Sequence, residues 1–162
     1  MTGLFAAAIV SLFAANLEAT HFEFFNSLSG HLEIELSEPS EAIGGLENQA
    51  ARGGSRIVSL RLKALVYDDT SEDFREVTTE EYAAIAYAQP QIQLRGQSGE
   101  PVTHRAPNGQ FFTVRDLLDA VSETERQTRA NTDWFDGVDI HHVWFEGIWP
   151  GDDDVWEISW GS

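Results

Sequence analysis

Residues 136–162 read DGVDIHHVWFEGIWPGDDDVWEISWGS, and the period of this stretch decides the fold class. In IHHVWFE and VWEISW, apolar and polar residues alternate at every second position, which marks strands with one buried and one wet face. The intervening GIWPGDD carries turn residues, so the segment is expected to be a β-hairpin. Pairing Trp144 with Trp156 sets His142 opposite Ile158 and Ile140 opposite Trp160. Neighbouring residues on a strand point to opposite faces, so His141 and His142 are not expected to share one metal ion.

The same alternation appears near the other end, in HFEFFNSLSGHLEIELSE. Phe22 and Phe24 alternate with His21 and Glu23, and Leu32, Ile34 and Leu36 alternate with Glu33 and Glu35. A second hairpin around NSLSG is expected, with Phe24 facing Leu32 and Glu23 facing Glu33. Like charges in that position call for nearby cations. SRIVSLRLKALVYDD supplies them: Val58, Leu60, Leu62, Ala64 and Val66 form an apolar face, while Arg56, Ser59, Arg61 and Lys63 lie off it. A cross-strand ladder of these bases with the glutamates is the default reading.

Between these ends, Pro39 to Ser55 is a Gly-, Ala- and Ser-rich loop, and DDTSEDFRE is an acidic loop. VTTEEYAAIAYA is a helix opened by a Thr78–Glu81 capping box and closed by Pro90. QIQLRG is a short strand, followed by a loop that turns at Pro107-Asn108-Gly109. FFTVRDLLDAVSETERQTRANT is a helix capped by Thr113 and Asp116, with Val114, Leu117, Leu118 and Val121 along one face. Glu123, Glu125, Arg126 and Arg129 make its later turns polar, so they are expected to project beyond the core. Asn131 to Gly137 turns the chain. Gly3 to Ala19 is apolar nearly all round. It has the length of a signal-peptide core but no basic n-region and a poor cleavage pattern, so a helix packed on the sheet is expected.

These elements sum to an α+β chain: a mainly antiparallel sheet of about six strands with three helices, largely packed on one face. The 162 residues suit one domain, 1–162, able to bury a sizeable core. No cysteine occurs, which excludes disulfides, thiolate metal sites and cysteine nucleophiles and fits a cytoplasmic location. Asp plus Glu number 27 against 10 Lys plus Arg, for a formal net charge of −17. Such a surface repels nucleic-acid phosphates and anionic lipid, so neither nucleic acid nor membrane is an expected partner. A basic protein partner suits it, and self-association is compatible with it.

Catalytic candidates are few. His142 in aromatic company could act as a base if an orienting carboxylate reached it, which Asp139 or Glu146 could do only were the strand to bend. His104 is a second weak candidate. His141 falls opposite Ser159, but no nucleophile elbow or oxyanion hole accompanies the pair. For metals, His21, Glu23, Glu33 and Glu35 form one candidate set, against the competing ion ladder. Asp152, Asp153 and Asp154, with Asp133, Asp136 and Asp139, lack calcium-loop spacing. No cofactor is called for. Five tryptophans are present, four of them at 144, 149, 156 and 160. Core packing accounts for Trp144, Trp156 and Trp160, whereas Trp149 with Pro150 sits in the turn, where an exposed aromatic serves as an interface anchor. A non-enzymatic interaction protein binding through Trp149, Pro150, Asp152, Asp153 and Asp154 therefore ranks first. A small-molecule site or enzyme near His142 ranks second, and a metal enzyme using His21 and its glutamates third.

Overall fold

The computed structural model describes residues 22–37, 56–97, 99–129 and 138–162. The expected helix at 3–19, the loop at 39–55, the turn at 131–137, and the side chains of His21, Asp133 and Asp136 lie outside the described residues. The elements in chain order are α1 (22–26), β1 (Ser29–Leu36), β2 (Ile57–Asp68), β3 (Asp73–Glu76), α2 (Thr79–Ala83), β4 (Ile85–Tyr87), β5 (Gln91–Arg95), β6 (Val102–Arg105), β7 (Phe112–Thr113), α3 (Val114–Thr128), β8 (Trp144–Pro150) and β9 (Val155–Gly161). The class is α+β. Seven strands form one sheet in the order β3-β2-β1-β8-β9-β5-β6, and β4 pairs with β7 in a small ribbon. Neighbours in the main sheet run antiparallel except β5 and β9, which run parallel.

Alternation places the core. Leu32 on β1, Leu62 and Ala64 on β2, Ile92 and Leu94 on β5, and Ile148 and Ile158 on the last two strands point to one face. There they meet Phe22 and Phe25 of α1, Ala86 and Phe112 of the ribbon, and Leu117, Leu118 and Val121 of α3. Each fully buried Leu or Phe contributes roughly 1.5–3 kcal/mol of transfer free energy. On the opposite face Tyr67, Phe74, Trp144 and Trp149 are about half exposed.

Several local expectations fail for identifiable reasons. The arm expected to pair with β1 from within HFEFF is the helix α1. Phe22, Phe25 and Leu28 are the buried residues, spaced three apart, and Phe24 is only partly covered. The partner of β1 is instead β2, with Glu33 opposite Arg61, His31 opposite Lys63 and Glu35 opposite Ser59, whose hydroxyl donates to Glu35 Oε2 at 2.9 Å. On β2, Val58 is 60% exposed rather than part of the core. The acidic segment DDTSEDFRE folds back as β3, held by an edge-on Tyr67–Phe74 ring contact and by Arg75, which pairs with Glu81 and Asp68. α2 keeps its predicted capping box but stops at Ala83, and the Ile85–Tyr87 segment pairs with β7. VTHR, expected to be loop, is strand β6 beside β5.

Two side chains complete the sheet where strands run out. β3 covers β2 only over Leu65–Asp68, and the Leu62 N–H beyond it donates to Ser122 Oγ of α3 at 3.0 Å. That hydroxyl passes its own proton to Leu118 O at 2.8 Å. β1 reaches β8 only at Trp144 and Phe145. Further along, Asn26 of α1 takes over as a surrogate strand. Its Nδ2 donates to Ile148 O and its Oδ1 accepts from Ile148 N, both at 2.9 Å.

Candidate functional site

The C-terminal hairpin forms as the alternation predicts, but its register differs. Phe145 faces Trp160, Ile148 faces Ile158, Trp149 faces Glu157 and Pro150 faces Trp156. The strand therefore runs through IWP, and the connection shrinks to Gly151–Asp154. Gly151 N donates to Val155 O and Val155 N to Asp152 O, closing the turn. Asp153 and Asp154 both adopt left-handed backbone, φ 57° and 60°, a region that Asp tolerates better than most side chains. A bulge at Glu146–Gly147 breaks the alternation. Gly147 has φ 111°, and a Cβ there would lie 3.0 Å from Asn26 Oδ1. Through that extra residue, Phe145, Ile148 and Pro150 come to the core side, and Trp149 turns to the outer face, 51% exposed.

Of the four tryptophans, one departs from the expectation. Trp156 stacks on Phe22 with centroids 4.5 Å apart, and Trp160 makes an edge contact with Phe145. Trp144, expected in the core, is half exposed and edge-on to His31. Trp149, Pro150, Asp152, Asp153 and Asp154 are all exposed. Beside the turn lies a cleft of about 460 Å³ lined by Tyr87, Pro90, Pro150, Asp154 and Trp156, with Gln89, Gln91, Gly151 and Val155. On the outer face Glu157 pairs with Arg95 of the neighbouring strand.

The histidine pair lies ahead of β8, on a bend rather than in a strand, so the opposite-face argument does not apply to it. The bend brings Asp139 to His142. Asp139 Oδ2 lies 2.7 Å from His142 Nδ1, and Oδ1 accepts from the His141 and His142 amides at 2.8 and 3.3 Å. Asp139 is 1% exposed. Burial pushes its carboxyl up, but the His141 amide and the His142 imidazole and amide together hold it below the ordinary Asp value. Ile140, with no core partner of the kind expected, is 52% exposed. Ser159 pairs with Gly147 instead of meeting His141, and its hydroxyl donates to Glu146.

Behind this dyad is a feature that sequence reasoning missed. Glu125 and Arg129, expected in solvent, are both wholly buried and joined by Nε–Oε2 at 2.7 Å. Arg129 Nη1 donates to Asp139 O at 3.0 Å and His142 O at 2.8 Å, so the guanidinium fixes the bend that carries the dyad. Its Nη2 is buried with no hydrogen-bond partner among the described residues. Glu125 Oε1 accepts from the Trp160 indole at 2.8 Å and from Gln97 N at 3.2 Å. Gly96 makes room for this carboxylate, since a Cβ there would lie 2.6 Å from Glu125 Oε1. The signal was present: Leu117, Val121, Glu125 and Thr128 continue one helical stripe at four-, four- and three-residue steps.

His104, on β6, is half-buried, with Nε2 2.8 Å from Thr124 Oγ1. That hydroxyl also donates to Ala120 O at 3.0 Å, which leaves His104 Nε2 to act as donor to it. Burial lowers its pKa below the ordinary histidine value, with Glu123 opposing. Its hydrogen bond leads into α3, not to the Asp139–His142 dyad. Glu23 sits exposed on α1 while Glu33 and Glu35 sit on β1, so they do not share the strand pair on which the metal set was built. Among the described residues no three His, Asp or Glu side chains converge as metal ligands would. Among them, too, no helix is long and apolar enough to cross a membrane. Comparison of this chain with protein-family models, with curated proteins and with solved structures finds no match.

Proposed function

We propose that this chain is a non-enzymatic interaction protein that engages a basic protein partner through the β8–β9 turn. Trp149 and Pro150 are the anchor, and Asp152, Asp153 and Asp154 form the acidic rim that steers the partner in. The observation that carries this reading is the half-exposed Trp149, turned outward by the Gly147 bulge and set beside three exposed carboxylates. Interface hot spots are enriched in tryptophan, and rim charges act mainly on the rate of encounter. The formal charge of −17 favours cationic partners and disfavours nucleic acid. Affinity capture from native lysate at low salt, with wild type, Trp149→Ala and the triple Asp152→Asn/Asp153→Asn/Asp154→Asn variant, tests it. A stoichiometric basic protein held by wild type, lost with Trp149→Ala and released by salt is expected. Equal retention by wild type and both variants, or no stoichiometric partner, refutes it.

A second reading, a small-molecule site or enzyme using His142, is favoured by one observation, the 2.7 Å contact with the buried Asp139 carboxylate. That is how a carboxylate fixes an imidazole tautomer for base catalysis. Among the described residues, the turn cleft and a second cleft near Glu33, Arg61 and Tyr82 lie away from His142.

A further inference from the structure

We infer that the cleft beside the β8–β9 turn receives an arginine side chain presented by an extended, proline-containing segment of the partner. The inference rests on the interaction reading above and names the chemistry of its occupant. At about 460 Å³ the cleft falls within the roughly 300–1,000 Å³ span of small-ligand sites. Its lining combines three kinds of surface. Tyr87 and Trp156 supply aromatic rings, with centroids 6.2 Å apart and planes at 74°. Trp156 is backed on one side by Phe22, so its indole is fixed before anything binds. Pro90 and Pro150 form stiff apolar walls without N–H donors, the kind of aromatic and proline-rich surface on which polyproline-type segments pack. Asp154 supplies a carboxylate, with Asp152 and Asp153 next to it on the same turn.

The chemistry of the lining selects among ligands. Among the described lining residues none is cationic, so they offer an anionic ligand no counter-charge. A guanidinium satisfies the rings and the carboxylate together: its flat face lies on an aromatic plane while its edge forms paired N–H···O bonds with Asp154. A lysine ammonium, a compact and strongly hydrated charge, does the first poorly and the second with one donor at a time. Charge complementarity with the acidic turn therefore favours an arginine-bearing peptide over a neutral one.

The test uses the full chain and two blocked synthetic peptides, Pro-Pro-Arg-Pro-Pro and its counterpart with citrulline in place of arginine. Citrulline keeps the planar shape and removes the charge. Binding is followed by NMR, through the Trp156 indole N–H and the Tyr87 ring resonances. Saturable shifts at both residues are expected with the arginine peptide, with affinity about tenfold weaker for citrulline, as for loss of a charge-assisted hydrogen bond. Asp154→Asn should weaken the arginine peptide by a similar factor, because asparagine tolerates the left-handed backbone and leaves the turn intact. Equal affinity for the two peptides overturns the inference. So do shifts centred on Trp149 or Trp144, or no saturable shift at millimolar peptide. Those failures leave the wider interface to be decided by the Trp149→Ala capture experiment.

Discussion

Replacing Arg129 by methionine should unmask the cost of the buried ion pair. The substitution removes the 2.7 Å contact with Glu125 and the two N–H donors to Asp139 O and His142 O. Glu125 remains fully buried, held among the described residues by the Trp160 indole and the Gln97 amide. Breaking one partner out of such a pair costs roughly 3–5 kcal/mol, most of it the stranded charge. Against a total stability of about 5–15 kcal/mol, that is a fifth or more of what holds a domain folded. Adding Glu125→Gln removes the stranded charge yet keeps an amide oxygen for Trp160 and Gln97. The double variant should therefore be more stable than Arg129→Met alone by about 1–3 kcal/mol. Urea unfolding followed by tryptophan fluorescence gives both differences from midpoints at a common slope. An Arg129→Met variant within about 1 kcal/mol of wild type would contradict the assignment of a desolvated pair. A double variant less stable than the single one would mean that the charge itself is not what the core must neutralise.

The remaining expectations concern the strand surrogate and two titrating groups. Asn26→Ala leaves both the amide and the carbonyl of Ile148 without their partner, so a loss of about 1–3 kcal/mol and faster hydrogen exchange at the Ile148 amide are expected. Arg75, by its hydrogen bonds, and the Thr78 amide hold the Glu81 carboxyl down at about 2. A depressed carboxylate stabilises above its unfolded value and loses that contribution as pH falls through the folded one. Wild type should thus exceed Glu81→Gln in stability at neutral pH and converge with it as pH approaches 2, measured by melting at each pH. Burial lowers the His104 pKa, so the unfolded chain binds its proton more readily than the folded one. Stability should fall as pH drops below the ordinary histidine value, and His104→Gln should flatten that part of the melting profile.

Local chemistry made some of this legible from residues alone. The Thr78 and Thr113 capping boxes, the α3 stripe and strands β1, β2, β5 and β9 follow from short-range patterns that tertiary packing leaves alone. HFEFF misled because Phe22 and Phe24 satisfy a two-residue period while Phe22, Phe25 and Leu28 satisfy a three-residue one, and only burial chooses between them. The hairpin register slipped because pairing Trp144 with Trp156 maximises like-with-like contact along a regular ladder. A bulge anchored by Asn26, 122 residues away, has no signature in the strand itself. Exposure of Trp149 was readable from its place next to Pro150 and Gly151. The approach of Asp139 to His142 was not, since it needs a bend held by an arginine ten to thirteen residues earlier. Buried ions are misread for a simple reason: charge on a helix normally means water, and Glu125 and Arg129 cancel each other instead.

The order of strands has a consequence for how the molecule is made. β8 and β9, the last strands among the described residues, occupy the middle of the sheet between β1 and β5. While a ribosome is still holding residues 144–161, β3-β2-β1 and β5-β6 can exist only as two separate patches with raw inner edges. The hairpin must be made before the halves can be sewn together, so a chain stopped between β6 and β8 carries two patches with sticky edges, not a smaller version of the fold.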